Sequence, residues 1–157
     1  MTDTPHDNLD WIDGLIQLLE TQDAIVQSLD ALASEQASCI ETGQVDALLV
    51  VLARRQALVE SLLSTQSNLA TMTRNLEERL AGVSVGKRDR VHELMDSVDR
   101  TMQSVLARDD EDRSRLQKQR DSVRSGLTEL DAGRRARHGY QSTPKVVETH
   151  RFADARG

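Results

Sequence analysis

The chain has 157 residues, a formal net charge of −6 and an aromatic content of only 2 %. This length accommodates one domain, and so few aromatics favour a slender helix bundle, because aliphatic side chains at heptad-like positions can fill the narrow seam between helices. The charge argues against a nucleic-acid binder, since such proteins concentrate basic residues on one face, whereas here the bases of the expected folded part are interleaved with acids.

Charge is nevertheless uneven along the chain. Residues 1–60 hold eleven acidic residues against Arg54 and Arg55, whereas residues 133–157 hold six basic residues against Glu148 and Asp154.

The first residues lack a basic start followed by an apolar run, and no stretch approaches the roughly 20 apolar residues that span a bilayer. The single cysteine, Cys39, excludes an internal disulfide and fits a reducing compartment. We therefore expect a cytoplasmic protein that does not insert into a membrane.

The first predicted helix covers residues 7–41. Its apolar residues recur at steps of three and four and form one stripe: Ile12, Leu15, Leu19, Val26, Leu29, Ala33 and Ile40. Ile16, Ile25 and Leu32 widen this stripe, so the helix is expected to contact two neighbours. Gly43 suits the left-handed conformation that ends a helix, and the short connection around it favours an antiparallel hairpin.

The second predicted helix runs without a break from Val45 to Leu80. Its stripe comprises Val45, Leu48, Leu49, Leu52, Val59, Leu62, Leu63, Leu69, Met72, Leu76 and Leu80. We expect these residues, Leu52 among them, to form the core, and we expect a loop between Gly82 and Gly86.

The third predicted helix ends near Leu130 and carries two rows of residues spaced by sevens. One row is Met95, Met102, Asp109, Leu116, Val123 and Leu130, and the other is Val91, Val98, Val105, Asp112, Gln119 and Gly126. The second row becomes polar after Val105, at the acidic run 109–112, which we interpret as a solvated face. The helix should therefore pack well in its first half and weakly in its second half.

Helix lengths then point to a binding surface. At 1.5 Å per residue the third helix should be longer than either arm of the hairpin by about 12 Å or more, which leaves Val123, Leu127 and Leu130 without a neighbour. Unpaired apolar residues at helical spacing are typical of a helix that binds a partner. Together with Leu116 and Tyr140, these are the predicted partner-binding residues.

The fold class that follows is all-α, with three long antiparallel helices in a coiled-coil-like up-down-up bundle. Residues 1–132 are expected to form this bundle, and residues 133–157 are expected to form a flexible basic tail, because Gly133, Gly139 and Pro144 interrupt any helical period.

No pattern of residues indicates catalysis. The four histidines are scattered, and the sequence has no Glu-x-x-His pair, glycine-rich phosphate loop or paired-cysteine zinc motif. We therefore expect no catalytic, cofactor-binding or metal-binding residues and no enzymatic activity. A metal-binding bundle enzyme is the most distant alternative.

The segment from Leu18 to Leu62, LLETQDAIVQSLDALASEQASCIETGQVDALLVVLARRQALVESL, resembles the FlgN family of flagellar type III export chaperones. The likeness consists of a helix rich in leucine and acids, a short turn after Glu41, and a second helix with paired arginines before an apolar run. Length, acidity and the third helix agree with it, so the resemblance extends over roughly residues 9–130.

The resemblance implies a cytoplasmic chaperone that binds the C-terminal segments of the hook-filament junction proteins FlgK and FlgL and brings them to the membrane export gate. It also implies a cargo site toward the C-terminal helix and an aromatic residue after that helix for gate docking, for which Tyr140 is the candidate. The alternative is a structural coiled-coil or adaptor protein that self-associates through the third helix.

Overall fold

The computed structural model describes residues 5–141, with side chains described from residue 10 onward. Four helices follow one another: α1 (Pro5–Thr42), α2 (Val45–Met72), α3 (Leu76–Leu80) and α4 (Val85–Gln141). Residues 5–141 contain no strand, which confirms the all-α class. The chain divides into one compact unit, Met1–Leu116, and a second unit that begins at Gln117.

Helix α1 forms the central packing surface of the first unit, as its sequence predicts. All seven residues of its stripe are buried, and Ile16, Ile25 and Leu32 beside them are half-buried. The helix ends at Gly43, whose φ is +67°. Because the Gln44 amide donates to the Cys39 carbonyl at 2.9 Å and the Gly43 amide donates to that of Ile40, the last carbonyls of α1 are satisfied by a Schellman motif.

Helices α1 and α2 form the predicted antiparallel hairpin. Gly14, early in α1, faces Met72 at the end of α2, and a Cβ at Gly14 would lie 3.7 Å from the Met72 Cε. Nearer the turn, Gln36 accepts a hydrogen bond from Arg55. The sequence separation between contacting residues thus decreases toward the turn at Gly43, as it does in an antiparallel pair.

Helix α4 runs parallel to α1, so the order up-down-up is also confirmed. Polar side chains join the two helices at a nearly constant offset of 74 residues: Lys87 with Asp13, Ser97 with Asp23, Gln27 with Thr101, Ser104 with Asp30, and Arg108 with Ser34. Most of these pairs are exposed and each contributes little to stability, but together they show the direction and register of α4. This register makes Leu116 the counterpart of Thr42, the last residue of α1.

The prediction of one unbroken second helix is wrong. Helix α2 ends at Met72, and the amide and the hydroxyl of Thr73 both donate to the Leu69 carbonyl at 2.8 Å in its last turn. Asn75 then adopts a left-handed conformation with a φ of 54°, which asparagine tolerates better than most residues. The short helix α3 follows and places Leu80 in the core cluster with Ile12, Leu15, Val91 and Leu94.

The prediction that Val45, Leu49, Leu52, Val59 and Leu63 belong to the core is also wrong, because all five are exposed. Leu52 keeps 44 % of its surface exposed, whereas its neighbour Val51 keeps 1 %. Consecutive residues lie about 100° apart on a helix, so only one of them can face α1. The core-facing row of α2 therefore runs through Val51, Thr65 and Leu69.

Helix α4 packs in its first half only, as expected. Val91, Val98, Val105 and Asp112 of the predicted row are buried, whereas every residue from 113 to 141 is exposed. However, the interpretation of the acidic run as a solvated face is wrong for two of its members. Asp112 is 3 % exposed and the Asp109 side chain is half-buried, because both belong to a polar cluster.

This polar cluster joins the three long helices and consists of Gln36, Arg55, Asp109 and Asp112. The Arg55 guanidinium donates two parallel hydrogen bonds of 2.7 Å to the Asp109 carboxylate and a third to the Gln36 Oε1. The Gln36 amide in turn donates to the Asp112 Oδ2 at 2.8 Å. Such a bidentate, charge-assisted pair combines a fixed geometry with a strong interaction.

The same contacts stabilise the charged form of Arg55. Its hydrogen bond to Asp109, aided by the charges of Asp109 and Asp112, raises the pKa of Arg55 above its ordinary value, although burial acts in the opposite direction. A raised pKa of a base stabilises the fold at all pH values below the ordinary pKa of arginine. The guanidinium therefore stays charged throughout the neutral range.

Helix α4 ends later than predicted. We expected the helix to stop near Leu130, but it continues through Gly133 and Gly139 to Gln141. Arginine and alanine favour helix between these two glycines, which offsets the cost of about 1 kcal/mol that each glycine carries. The division into a bundle of residues 1–132 and a tail of residues 133–157 stays a prediction, and residues 142–157 lie outside the described part.

The changed assignment of Leu52 is testable with a chemically matched pair of variants. Leu15→Ala, at a fully buried position, should lower the free energy of unfolding by roughly 2–5 kcal/mol, whereas Leu52→Ala should lower it by less than about 1 kcal/mol. Urea denaturation followed by circular dichroism measures both values. Equal losses would contradict the assignment of the core-facing row of α2.

The polar cluster is testable by removing its cation. Arg55→Met should lower the free energy of unfolding by roughly 1–3 kcal/mol, because the Asp109 and Gln36 acceptors lose their donor in a half-buried site. Arg90→Met is the matched control, since its ion pair with Glu20 is exposed and should cost less than about 1 kcal/mol.

A double-mutant cycle isolates the bidentate contact. Arg55→Met and Asp109→Leu together should cost less than the sum of the single changes, with a coupling of about 1 kcal/mol or more. Additive effects in the same urea titrations would show that the two residues do not stabilise the bundle as a pair.

Candidate functional site

The second unit carries an exposed apolar stripe that we call the C-terminal stripe, formed by Val123, Leu127 and Leu130. Their exposed fractions are 64 %, 60 % and 66 %. Steps of four and three residues place the three side chains on one side of α4. The predicted exposure of these residues is thus confirmed, whereas their role in binding stays a prediction.

Val123 and Leu130 of the C-terminal stripe continue a row that is half-buried earlier in the same helix, whereas Leu127 continues the exposed row of Leu106. Met102, Asp109, Leu116, Val123 and Leu130 follow one another by sevens, and Leu116 is the last residue with a counterpart on α1. Met102 and Asp109 are half-buried, whereas Leu116 is already 43 % exposed. The apolar pattern therefore continues after the partner helix has ended.

Basic residues flank the C-terminal stripe. Residues 117–141 include three acids, Asp121, Glu129 and Asp131, and six bases: Lys118, Arg120, Arg124, Arg134, Arg135 and Arg137. Near the end of the helix, the predicted partner-binding residue Tyr140 is 88 % exposed. The second unit is thus a mostly polar helix that carries three exposed aliphatic residues and a net positive charge.

The first unit has an apolar surface whose residues the sequence analysis assigned to the core. Helix α2 exposes a second row of aliphatic residues next to its core-facing row: Val45, Leu49, Leu52, Val59 and Leu63. The steps of four, three, seven and four residues match a heptad seam. The signal was present in the sequence, because α2 has two neighbouring apolar rows where packing against the α1 side requires only one.

This row leads into a groove over α1. The groove has a volume of about 320 Å³ and is lined by α1, α2 and α4, through Leu19, Gln22, Gln66, Leu69, Ala70, Thr73, Met95, Val98 and Asp99. Gln66 and Ala70 follow Leu63 at steps of three and four, so the exposed row of α2 borders the groove. On α4, Leu106 follows Met95, Asp99 and Met102 at the same spacing and is 57 % exposed.

We call this surface the open face, and define it by Leu52, Val59 and Leu63 on α2 and by Met95, Met102 and Leu106 on α4. Exposed acidic residues border it: Glu60 on α2, and Asp99 and Asp110 on α4. Arg113 is the basic exception, and it lies 3.7 Å from Asp110. The open face is therefore apolar at its centre and negative at its edge.

In residues 10–141, no group of three or more His, Cys, Asp or Glu side chains is arranged to hold a metal ion. His92 lies 3.2 Å from Glu77 on the surface, and Cys39 is buried as a free thiol. None of the described helices combines the length and apolar character needed to cross a bilayer.

Comparison with known families gives one clear result. The chain matches the family described as FlgN protein over residues 1–146, which is nearly all of its length. Searches of curated proteins and of solved structures give no match. FlgN proteins are chaperones and not known as enzymes, and they bind other flagellar proteins. The chain therefore belongs to the FlgN family of flagellar export chaperones.

Proposed function

We propose that this chaperone acts in the cytoplasm, binds the C-terminal helical segments of hook-filament junction proteins of the FlgK and FlgL type, and delivers them to the export gate. The observation that carries the proposal is the C-terminal stripe, a row of aliphatic residues on a long helix with no counterpart on α1. Family membership supports the choice of flagellar cargo.

The chemistry of the stripe suits a helical cargo. An unassembled helical segment exposes an apolar side that would otherwise aggregate or assemble too early. Val123, Leu127 and Leu130 offer a matching apolar side at helical spacing, so the two helices bury both surfaces by packing along each other. Because the stripe is already helical before binding, the chaperone loses little conformational entropy in the contact.

Delivery to the gate requires a second contact, and we assign it to Tyr140. Tyrosine couples a rigid ring to a polar tip and is enriched at binding surfaces, and this one is highly exposed near the end of α4. The arginines 134, 135 and 137 next to it favour an acidic partner surface. A contact made by so few residues is weak and reversible, as release of the cargo requires.

The cargo site is testable with alanine substitutions. Leu127→Ala and Leu130→Ala should each weaken binding of a hook-filament junction protein by roughly 1–3 kcal/mol, about 5- to 150-fold in Kd, while the melting temperature changes little. Titration calorimetry and thermal melts measure the two effects. Val85→Ala is the matched control, because Val85 is as exposed as Leu130 but lies at the start of α4.

A large loss of stability with unchanged binding would contradict this proposal, since it would make the stripe part of a closed core. Equal losses of affinity for Leu130→Ala and Val85→Ala would also contradict it, because any exposed aliphatic residue of α4 would then serve equally well.

The gate contact is testable apart from the cargo site. Tyr140→Ala should leave cargo binding in solution intact but reduce secretion of the junction proteins several-fold, because only the docking step loses an anchor. Truncation after Asp131, which also removes the three neighbouring arginines, should reduce secretion further. Cargo titration and secretion assays in flagellated cells measure these effects. Normal secretion by the truncated chain would remove the docking role from residues 132–157.

A further inference from the structure

The break between α2 and α3 depends mainly on one residue. In residues 5–141, Asn75 is the one residue other than glycine with a positive φ, and its φ of 54° and ψ of 39° place it in the left-handed region. Thr73, on the α2 side of the break, has a φ of −89° and a ψ of 2°, next to the right-handed helical region. Joining α2 and α3 into one helix therefore requires, above all, that Asn75 rotate into the right-handed region.

The apolar pattern of the sequence continues across this break. Leu69, Leu76 and Leu80 follow one another at steps of seven and four, so in one continuous helix all three would lie on the face that α2 turns toward α1. Helix α1 extends far enough to cover them, because residues 5–13 precede Gly14, and residues 73–80 follow its counterpart Met72. A joined helix would thus have a neighbour along its whole length.

Opposing contributions meet in the bent arrangement that the structure shows. The Leu80 side chain is fully buried in the core cluster, and the Arg79 guanidinium lies 3.7 Å from the centre of the Trp11 ring as a cation–π contact. Both contacts hold α3 in place. The left-handed Asn75 and the buried Trp11 Nε1, which has no hydrogen-bond partner among the described residues, both disfavour the same arrangement.

We propose that residues 73–84 form a hinged lid with Asn75 as the hinge. In the bent state α3 closes the end of the bundle opposite Gly43, and in a straight state α2 and α3 form one helix. Straightening withdraws Leu80 and Arg79 and makes the core cluster around Trp11 accessible. Because each state keeps its own set of packing contacts, the two conformations exchange as discrete alternatives.

The connection to α4 is long enough for both states. The offset between α1 and α4 places Val85 beside Trp11, and in a joined antiparallel helix Leu80 would lie opposite position 6 of α1. The path from position 6 to position 11 is roughly 8 Å, and with one interhelical distance of roughly 8–10 Å the separation becomes about 12 Å. The chain from Leu80 to Val85 spans up to roughly 17 Å. Helix α2 can therefore straighten without displacing α4.

This inference goes beyond the proposed function. The lid lies in the first unit and involves neither the C-terminal stripe nor Tyr140, which belong to the second unit. It gives the chaperone a second conformation at the far end of the bundle, and this conformation forms without cargo.

The first test sets the hinge with two opposite substitutions. Asn75→Gly favours the left-handed conformation, whereas Asn75→Ala favours helix and should raise the ratio of straight to bent chains about fivefold or more. The single tryptophan, Trp11, reports the position of α3. We expect Asn75→Ala to shift its emission to longer wavelength and to increase its quenching by acrylamide, and Asn75→Gly to decrease the quenching below that of the native chain.

The matched controls are Asn68→Ala and Asn68→Gly. Asn68 is exposed within α2, so these changes alter helix propensity in the same way without affecting the hinge. Both should leave the Trp11 emission unchanged. Equal Trp11 signals for Asn75→Ala and Asn75→Gly would overturn the proposal.

The second test distinguishes straightening from local unfolding. In a Cys39→Ser background, spin labels are attached at Ser64→Cys and Glu78→Cys, both at exposed positions. In one continuous helix these positions are about 21 Å apart on nearly the same side. Pulsed electron resonance should show two distances in the native chain, and the distance near 21 Å should increase in population with Asn75→Ala and disappear with Asn75→Gly.

Two outcomes of the distance measurement would overturn the lid. One is a single distance that neither substitution at position 75 changes. The other is a broad distribution in Asn75→Ala together with a loss of helical circular dichroism, because residues 73–84 would then unfold instead of joining α2. Neither test includes cargo, so their failure leaves the cargo-binding experiments of the proposed function unaffected, and the reverse also holds.

Discussion

Arg55 connects all three long helices, since it extends from α2 to Gln36 on α1 and to Asp109 on α4. A half-buried guanidinium requires partners for its donors, and only one alignment of the helices provides them. The aliphatic rows alone do not select this alignment, because they repeat every seven residues and a slip by one heptad would bury leucine and valine again. We infer that the polar cluster fixes the register, and the exposed pairs between α1 and α4 then follow from it.

The position of the polar cluster also determines where packing ends. Asp112 is the last buried residue of α4, and it lies one helical turn before Leu116, the counterpart of the last residue of α1. Its hydrogen bond to Gln36 holds α4 against α1 close to the turn at Gly43. Beyond this point the same helix needs no neighbour to keep its backbone hydrogen bonds, so its apolar rows become available for binding.

How well each helix could be predicted depended on how many apolar rows its sequence contains. Helix α1 has one broad stripe and a glycine at its end, so its limits and buried residues could be predicted. Helix α2 has two apolar rows, and periodicity alone does not tell which of Val51 and Leu52 faces the core. Asp109 and Asp112 occupied core positions of the heptad rows, but their burial depends on Arg55, a contact across helices that no local pattern encodes. The exposure of the C-terminal stripe followed from helix length, whereas the open face depends on how α2 and α4 flank the groove over α1.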